Sequence, residues 1–156
     1  WQARVWLADP VRETLAGGTV DEALLAHTVY TPEVRHPVEV PASQQQHLVT
    51  WLSKRLDAEI RAPALEMLGF ELLGGRLLSA AGGPAAQFMY QDGGGRRLTL
   101  FVRRTAGSDT AFRYLQRDGL NAFYWTDRDL GYALIGDLDK AALTQVAHAV
   151  YNQLGF

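Results

Sequence analysis

Residues able to do chemistry are present in this sequence, but they are dispersed. Four histidines, His27, His36, His47 and His148, occupy separate segments. None pairs with another at the one-turn spacing by which a helix presents two imidazoles to a metal. Each reads as a solvated or hydrogen-bonded histidine, and a shared metal site would need a convergence in space that spacing does not supply. The acidic pairs Asp127 with Asp129 and Asp137 with Asp139 lack the twelve-residue loop, central glycine and terminal glutamate of an EF-hand, and read as turn and cap residues. Ser43, Ser53, Ser79 and Ser108 stand outside any Gly-x-Ser-x-Gly elbow, and no carboxylate is embedded in an apolar run that would raise its pKa for acid or base work. There is no cysteine, which removes disulfides, thiolate zinc sites and cysteine nucleophiles together. Nothing in this inventory argues for an enzyme, and no metal or other cofactor is expected.

Binding chemistry is better represented than catalysis. Gly93, Gly94 and Gly95 precede Arg96 and Arg97, but the segment joins two apolar runs and does not open a helix, so it reads as a hairpin turn and not as a phosphate loop. With Arg103 and Arg104, Arg97 makes a basic spot able to meet an acidic partner or ligand. The aromatics Tyr114, Phe123, Tyr124, Trp125 and Tyr132 fall on neighbouring runs, and strand alternation must distribute them over both faces of a sheet. Those on an uncovered face would form an apolar patch of the kind that receives a partner or ligand. The candidate surface is therefore Tyr114, Tyr124, Trp125 and Tyr132 together with Arg97, Arg103 and Arg104.

The elements that must position these residues follow from the apolar periodicity. At 156 residues, 47% apolar and 21% charged, the chain has the size and composition of one globular domain with a real core. A net charge of -2 with both signs interspersed argues against a nucleic-acid partner, and no stretch approaches the ~18 apolar residues of a membrane-spanning helix. Pro10, then Gly17 and Gly18, then a capping box of Thr19 and Glu22, predict two short helices over residues 1–30. Trp1 and Trp6 alternate with Arg4 and Arg12 in a segment that suits the outer end of a membrane helix, and a first residue other than Met leads us to expect a piece of a longer protein. Short helices rarely stand alone, so Trp1, Trp6, Val20 and Leu24 are candidates for pairing two copies as a homodimer.

Pro32, Pro37 and Pro41 with Val38 and Val40 predict an extended connector over 31–42, open to proteolysis. Ser43 and Gln46 form a second capping box, opening a helix with Leu48, Val49, Trp51, Leu52 and Leu56 on one stripe. From Phe70 to Ile135 short apolar runs are cut by Gly74 with Gly75, Gly82 to Pro84, Asp92 to Gly95, Gly107 to Asp109 and Asp127 to Asp129. Two hairpins stand out, Gln87–Tyr90 with Arg97–Val102, and Phe123 to Trp125 with Tyr132 to Ile135. Leu98, Leu100 and Val102 should share a face. Asp139 caps a last helix carrying Leu143, Val146, Ala147, Val150, Tyr151 and Leu154 at three- and four-residue steps. The expected fold is α+β, an antiparallel sheet of about five to six strands with helices packed on one face, preceded by short N-terminal helices, and divided into 1–30, 31–42 and 43–156.

The stretches HLVTWLSKRL, APALEMLGFELLGGRLL, AAQFMYQDGGGRRLTLFVRR, FYWTDRDLGYALIGDLD and LTQVAHAVYNQL occur in an order and spacing that resemble the extracytoplasmic, C-terminal region of predicted transmembrane transcriptional regulators of the anti-sigma factor type. The resemblance covers about His47 to Leu154. It implies a cytoplasmic segment upstream that holds an extracytoplasmic-function sigma factor, one membrane helix through the inner membrane, and this region outside in the periplasm. It implies a sensor or signal-coupling role, with the sigma factor and a periplasmic signal protein or protease as partners. The sigma-binding segment is absent here, so the resemblance carries no sigma contact over to any residue of this sequence. A periplasmic small-molecule or metal binding module is the alternative, suggested by the aromatic runs and scattered histidines.

Overall fold

The computed structural model describes residues 10–32, 37–80 and 83–154, with the backbone alone for 10–17 and 80. The short apolar runs form a seven-stranded, wholly antiparallel sheet. Its strands are β1 (Val40–Pro41), β2 (Glu71–Ala80), β3 (Gly83–Gln91), β4 (Arg97–Arg104), β5 (Arg113–Arg117), β6 (Leu120–Asp127) and β7 (Leu130–Gly136), in the spatial order β1-β2-β3-β4-β7-β6-β5. Two hairpin-linked meanders, β2 to β4 and β5 to β7, are thus zipped together by β4 against β7, from Leu98 opposite Gly136 to Arg104 opposite Leu130.

Local chemistry accounts for the turns. The Asp92 carboxylate accepts from the backbone N–H groups of Gly94 and Arg96 at 3.0 and 2.8 Å, closing the β3–β4 turn as an Asx-type loop. Arg128 and Asp129, both with positive φ, make the two-residue turn between β6 and β7, a left-handed pairing that matches the sheet twist. Leu98, Leu100 and Val102 share one buried face as strand alternation requires.

Helices cover both faces. On one, α2 (Gln45–Leu56) contributes Leu48, Leu52 and Leu56, and α3 (Lys140–Gln153) contributes Leu143, Val146, Ala147 and Val150 to the main core. Asp139 caps α3 by accepting from Ala142 N at 2.8 Å. On the other face lies α1 (Pro10–Tyr30), which buries Val20, Ala23, Leu24 and Ala26 against Ala85, Phe101, Ala122, Ala133 and Ile135 in a second, smaller core. The architecture is α+β with three layers. It carries seven strands where five to six were expected, and α1 occupies the face left open in the expected arrangement.

Several local expectations are corrected. Residues 10–30 form one helix: Gly17 and Gly18 lie inside it, and Thr19 is a buried interior residue and not a cap. Burial of one apolar stripe outweighs the ~1 kcal/mol that a helical glycine costs. Residues 1–9, with Trp1 and Trp6, lie outside the described residues. Val20 and Leu24 are buried against the sheet and do not lie on an outward face; among the described side chains of α1, Leu25 and Val29, 66% and 54% exposed, are the large apolar ones presented outward. Ser43 sits in a 3-10 turn, Ala42–Gln44, and α2 opens without a side-chain cap.

Gly74 and Gly75 are not a turn but the interior of β2, at a bulge between Leu72 and Gly74. Gly74 has φ 149°, and a Cβ there would lie 2.1 Å from the carbonyl oxygen of Val40, so β1 can cross β2 only over a glycine. The second half of the connector is accordingly tied to the sheet. Glu39 N donates to Gly75 O at 2.9 Å, and Leu77 N donates to the Glu39 carboxylate at 2.9 Å.

Candidate functional site

The structure does not gather the seven residues of the candidate surface. Trp125 and Tyr132 are cross-strand partners whose rings stack at 5.2 Å and 14°, and at 1% and 5% exposure they belong to the core beneath α3, where Phe112 and Tyr151 meet Trp125 edge-on. The reason is register: the two-residue turn puts residues 125 and 132 opposite one another on the face that α3 covers. Burial, reinforced by the Asp127 carboxylate, pushes the Tyr132 phenol up to about 12. Tyr114 is half-buried on the same face, with Lys140 Nζ 4.4 Å above its ring and its hydroxyl bonded to Asn121. Tyr124, half-buried, points the other way and packs on the second core. The aromatics therefore form no exposed apolar patch.

The arginines are divided by the same alternation. Arg104 donates to Asp57 O at 2.5 Å, at the left-handed C-terminal cap of α2. Arg97 and Arg103 face α1. Arg97 donates to Thr31 O at 2.7 Å, just beyond the helix C-terminus, and to Gln91 at 3.0 Å. Arg103 pairs with Glu22 at 2.5 Å. A cation on the last free carbonyls complements the helix dipole as well as filling an orphan acceptor.

What the structure brings together is the seam between α1 and the sheet. His27, 5% exposed, places Nδ1 2.9 Å from Thr99 Oγ1 on β4. Burial holds the His27 pKa down at about 4, and the Asp137 carboxylate opposes that only in part. Toward the upstream end α1 closes on β7 at Gly131, where a Cβ would stand 3.2 Å from Thr19 Oγ1. Asp21 pairs with Arg117 at 2.7 Å at the rim, and the Arg76 guanidinium lies 4.0 Å above the Tyr30 ring. An open cleft of about 750 Å³ flanks this seam, lined by His27, Thr28, Gly94, Arg97, Asp118 and Asp137 among others.

No family model matches this chain, and no curated protein matches it significantly. Chemically, the seam holds α1 through a small apolar core and a few polar ties. Its two large aliphatic side chains, Val20 and Leu24, contribute ~1.5–3 kcal/mol each on burial, and the alanines less. The solvent-exposed Asp21–Arg117 pair adds at most ~1 kcal/mol, whereas the more enclosed Glu22–Arg103 pair is costly to break from one side only.

Of the other histidines, His47 and His148 are exposed on α2 and α3, and His36 lies outside the described residues. Among the described residues no group of three or more His, Asp or Glu side chains converges in the manner of a metal site. By spacing alone His27 reads like the other dispersed histidines, as solvated or hydrogen-bonded. Its signal was present, for Val20, Ala23, Leu24 and His27 recur at helical steps, which places the imidazole on the apolar stripe. Thr99 and Asp137 carried no signal of their own, since only β-sheet register and the end of β7 bring them to the seam.

Proposed function

We propose that this chain is the extracytoplasmic signal-coupling domain of a single-pass membrane anti-sigma factor, and that α1 is its coupling element. The observation that carries the reading is the docking of α1, a helix upstream of the connector, on a sheet face of its own through a small core and separate polar ties. Such a helix has two discrete states, docked and released, and a signal that binds one of them better moves the population between them. The family-like order of motifs from His47 to Leu154 supplies the context. An upstream membrane helix joins α1 to a cytoplasmic segment that holds an extracytoplasmic-function sigma factor, and a periplasmic protein or protease reads the released state.

The test places the longer protein in a cell carrying a reporter for its sigma factor. Ala23→Arg, which forces a charged side chain into the α1 seam, is expected to shift reporter output constitutively, and deletion of residues 31–156 to abolish inducibility. An upstream segment without sigma affinity, or a reporter indifferent to both changes, overturns the reading.

A further inference from the structure

His27 is the only titratable side chain buried within the described part of α1, and it sits on the helix face that meets the sheet. We propose that docking of α1 is gated by protons through His27, whose neutral ring bonds to Thr99 and whose charged ring the seam does not accommodate, so that acidification releases the helix. The release is a property of the chain itself; its use as a signal rests on the coupling role proposed above.

The surroundings of the ring decide the direction. From β4, Thr99 offers one hydroxyl, and Arg97 on the same face is a cation. The β3–β4 turn adds Arg96, the β5–β6 turn adds Asp118, and Asp137 follows β7; all three line the adjoining cleft. Of these four charged groups, Asp137 is the one that acts on the ring, favouring its charge by less than burial disfavours it, and the neighbours on α1 itself, Asp21 and Glu22, are engaged by Arg117 and Arg103. No described carboxylate is within hydrogen-bond reach to receive a second N–H from an imidazolium, so the cost of burying the charge prevails. The cleft meanwhile gives protons a path to the ring once the helix opens.

The sign follows from the two states. Docked, His27 titrates at about 4; released, it returns to its ordinary value of 6.5. The released helix therefore binds the proton more readily. Docking is at full strength above pH 6.5, weakens as the pH falls through that value, and levels off below 4. For one group with these two values, the opening constant rises, relative to pH 7, about 20-fold at pH 5 and about 240-fold at the acid limit.

The test is amide hydrogen exchange of the full 156-residue chain at pH 7, 6, 5 and 4.5, with rates converted to opening constants through the intrinsic exchange rates. The amides of residues 20–30 are expected to open about 20-fold more at pH 5 than at pH 7 while those of β3, β4 and β7 hold steady, and His27→Asn is expected to flatten that response. An equal rise in His27→Asn, or a rise shared by the whole sheet, overturns the proposal. Should His27→Asn fail to fold, NMR titration of the His27 ring in the native chain decides: a midpoint near 4 supports the gate, and one near 6.5 with α1 docked removes it. Both readouts use the chain alone, so their failure leaves the anti-sigma reading standing, and failure of the sigma reporter leaves the proton gate standing.

Discussion

The Nδ1 of His27 on α1 and the Oγ1 of Thr99 on β4 are 2.9 Å apart although 72 residues separate them in the chain. Each is buried, and this hydrogen bond spans two layers of the fold. Replacing Thr99 by Val keeps the shape of the side chain and leaves the imidazole nitrogen buried without that partner, which costs ~1–3 kcal/mol. Thr99→Val should lower the unfolding free energy from urea melts by that amount, seen as a lower midpoint with an unchanged slope, and the extra opening should concentrate in α1 amides. A variant as stable as the parent would mean the bond contributes nothing.

Gly74 makes the crossing of β1 over β2 possible. Gly74→Ala places a methyl group 2.1 Å from Val40 O and 2.8 Å from Val38 Cγ2, so β1 must leave the sheet. Limited proteolysis should then cut between residues 37 and 42 several times faster than in the parent chain, because released backbone is the preferred substrate. Equal cleavage rates would show that the connector is already open.

Trp125 carries its indole N–H into the core with no hydrogen-bond partner among the described residues, while its ring stacks on Tyr132. Trp125→Ala removes the largest fully buried side chain and should cost ~3–5 kcal/mol. Trp125→Phe loses volume but also removes an orphaned donor, and should cost clearly less. Chemical denaturation of the pair of variants measures the difference, and equal losses would refute the contribution of the orphaned N–H.

On the alkaline side the buried tyrosines govern. Tyr132 ionises at about 12 when folded, and burial raises Tyr90, whose hydroxyl donates to Pro63 O, further still. The folded state resists losing these protons, so stability holds below pH 10 and declines as the pH rises from 10 toward 12. Tyr132→Phe should shallow that decline in a series of urea melts. An unchanged pH slope would place the Tyr132 hydroxyl in water.

The sequence alone determined the α+β class, the main hairpins, the common face of Leu98, Leu100 and Val102, and the cap at Asp139. These are local: alternation, turn residues and helix-start chemistry act within a few positions, and no distant contact is needed to read them. It also carried the stripe of Val20, Ala23, Leu24 and His27, though Gly17 and Gly18 masked the single helix to which that stripe belongs. Only the tertiary structure decided which sheet face each residue joins. A one-residue change of register would exchange Trp125 for Tyr124 and Arg103 for Arg104, and that register is fixed by pairing β7 with β4 across the join of two meanders. For the same reason the expected aromatic and basic surface dissolved into a core and a helix seam, while His27, Thr99 and Asp137, unremarkable along the chain, came together where α1 meets the sheet.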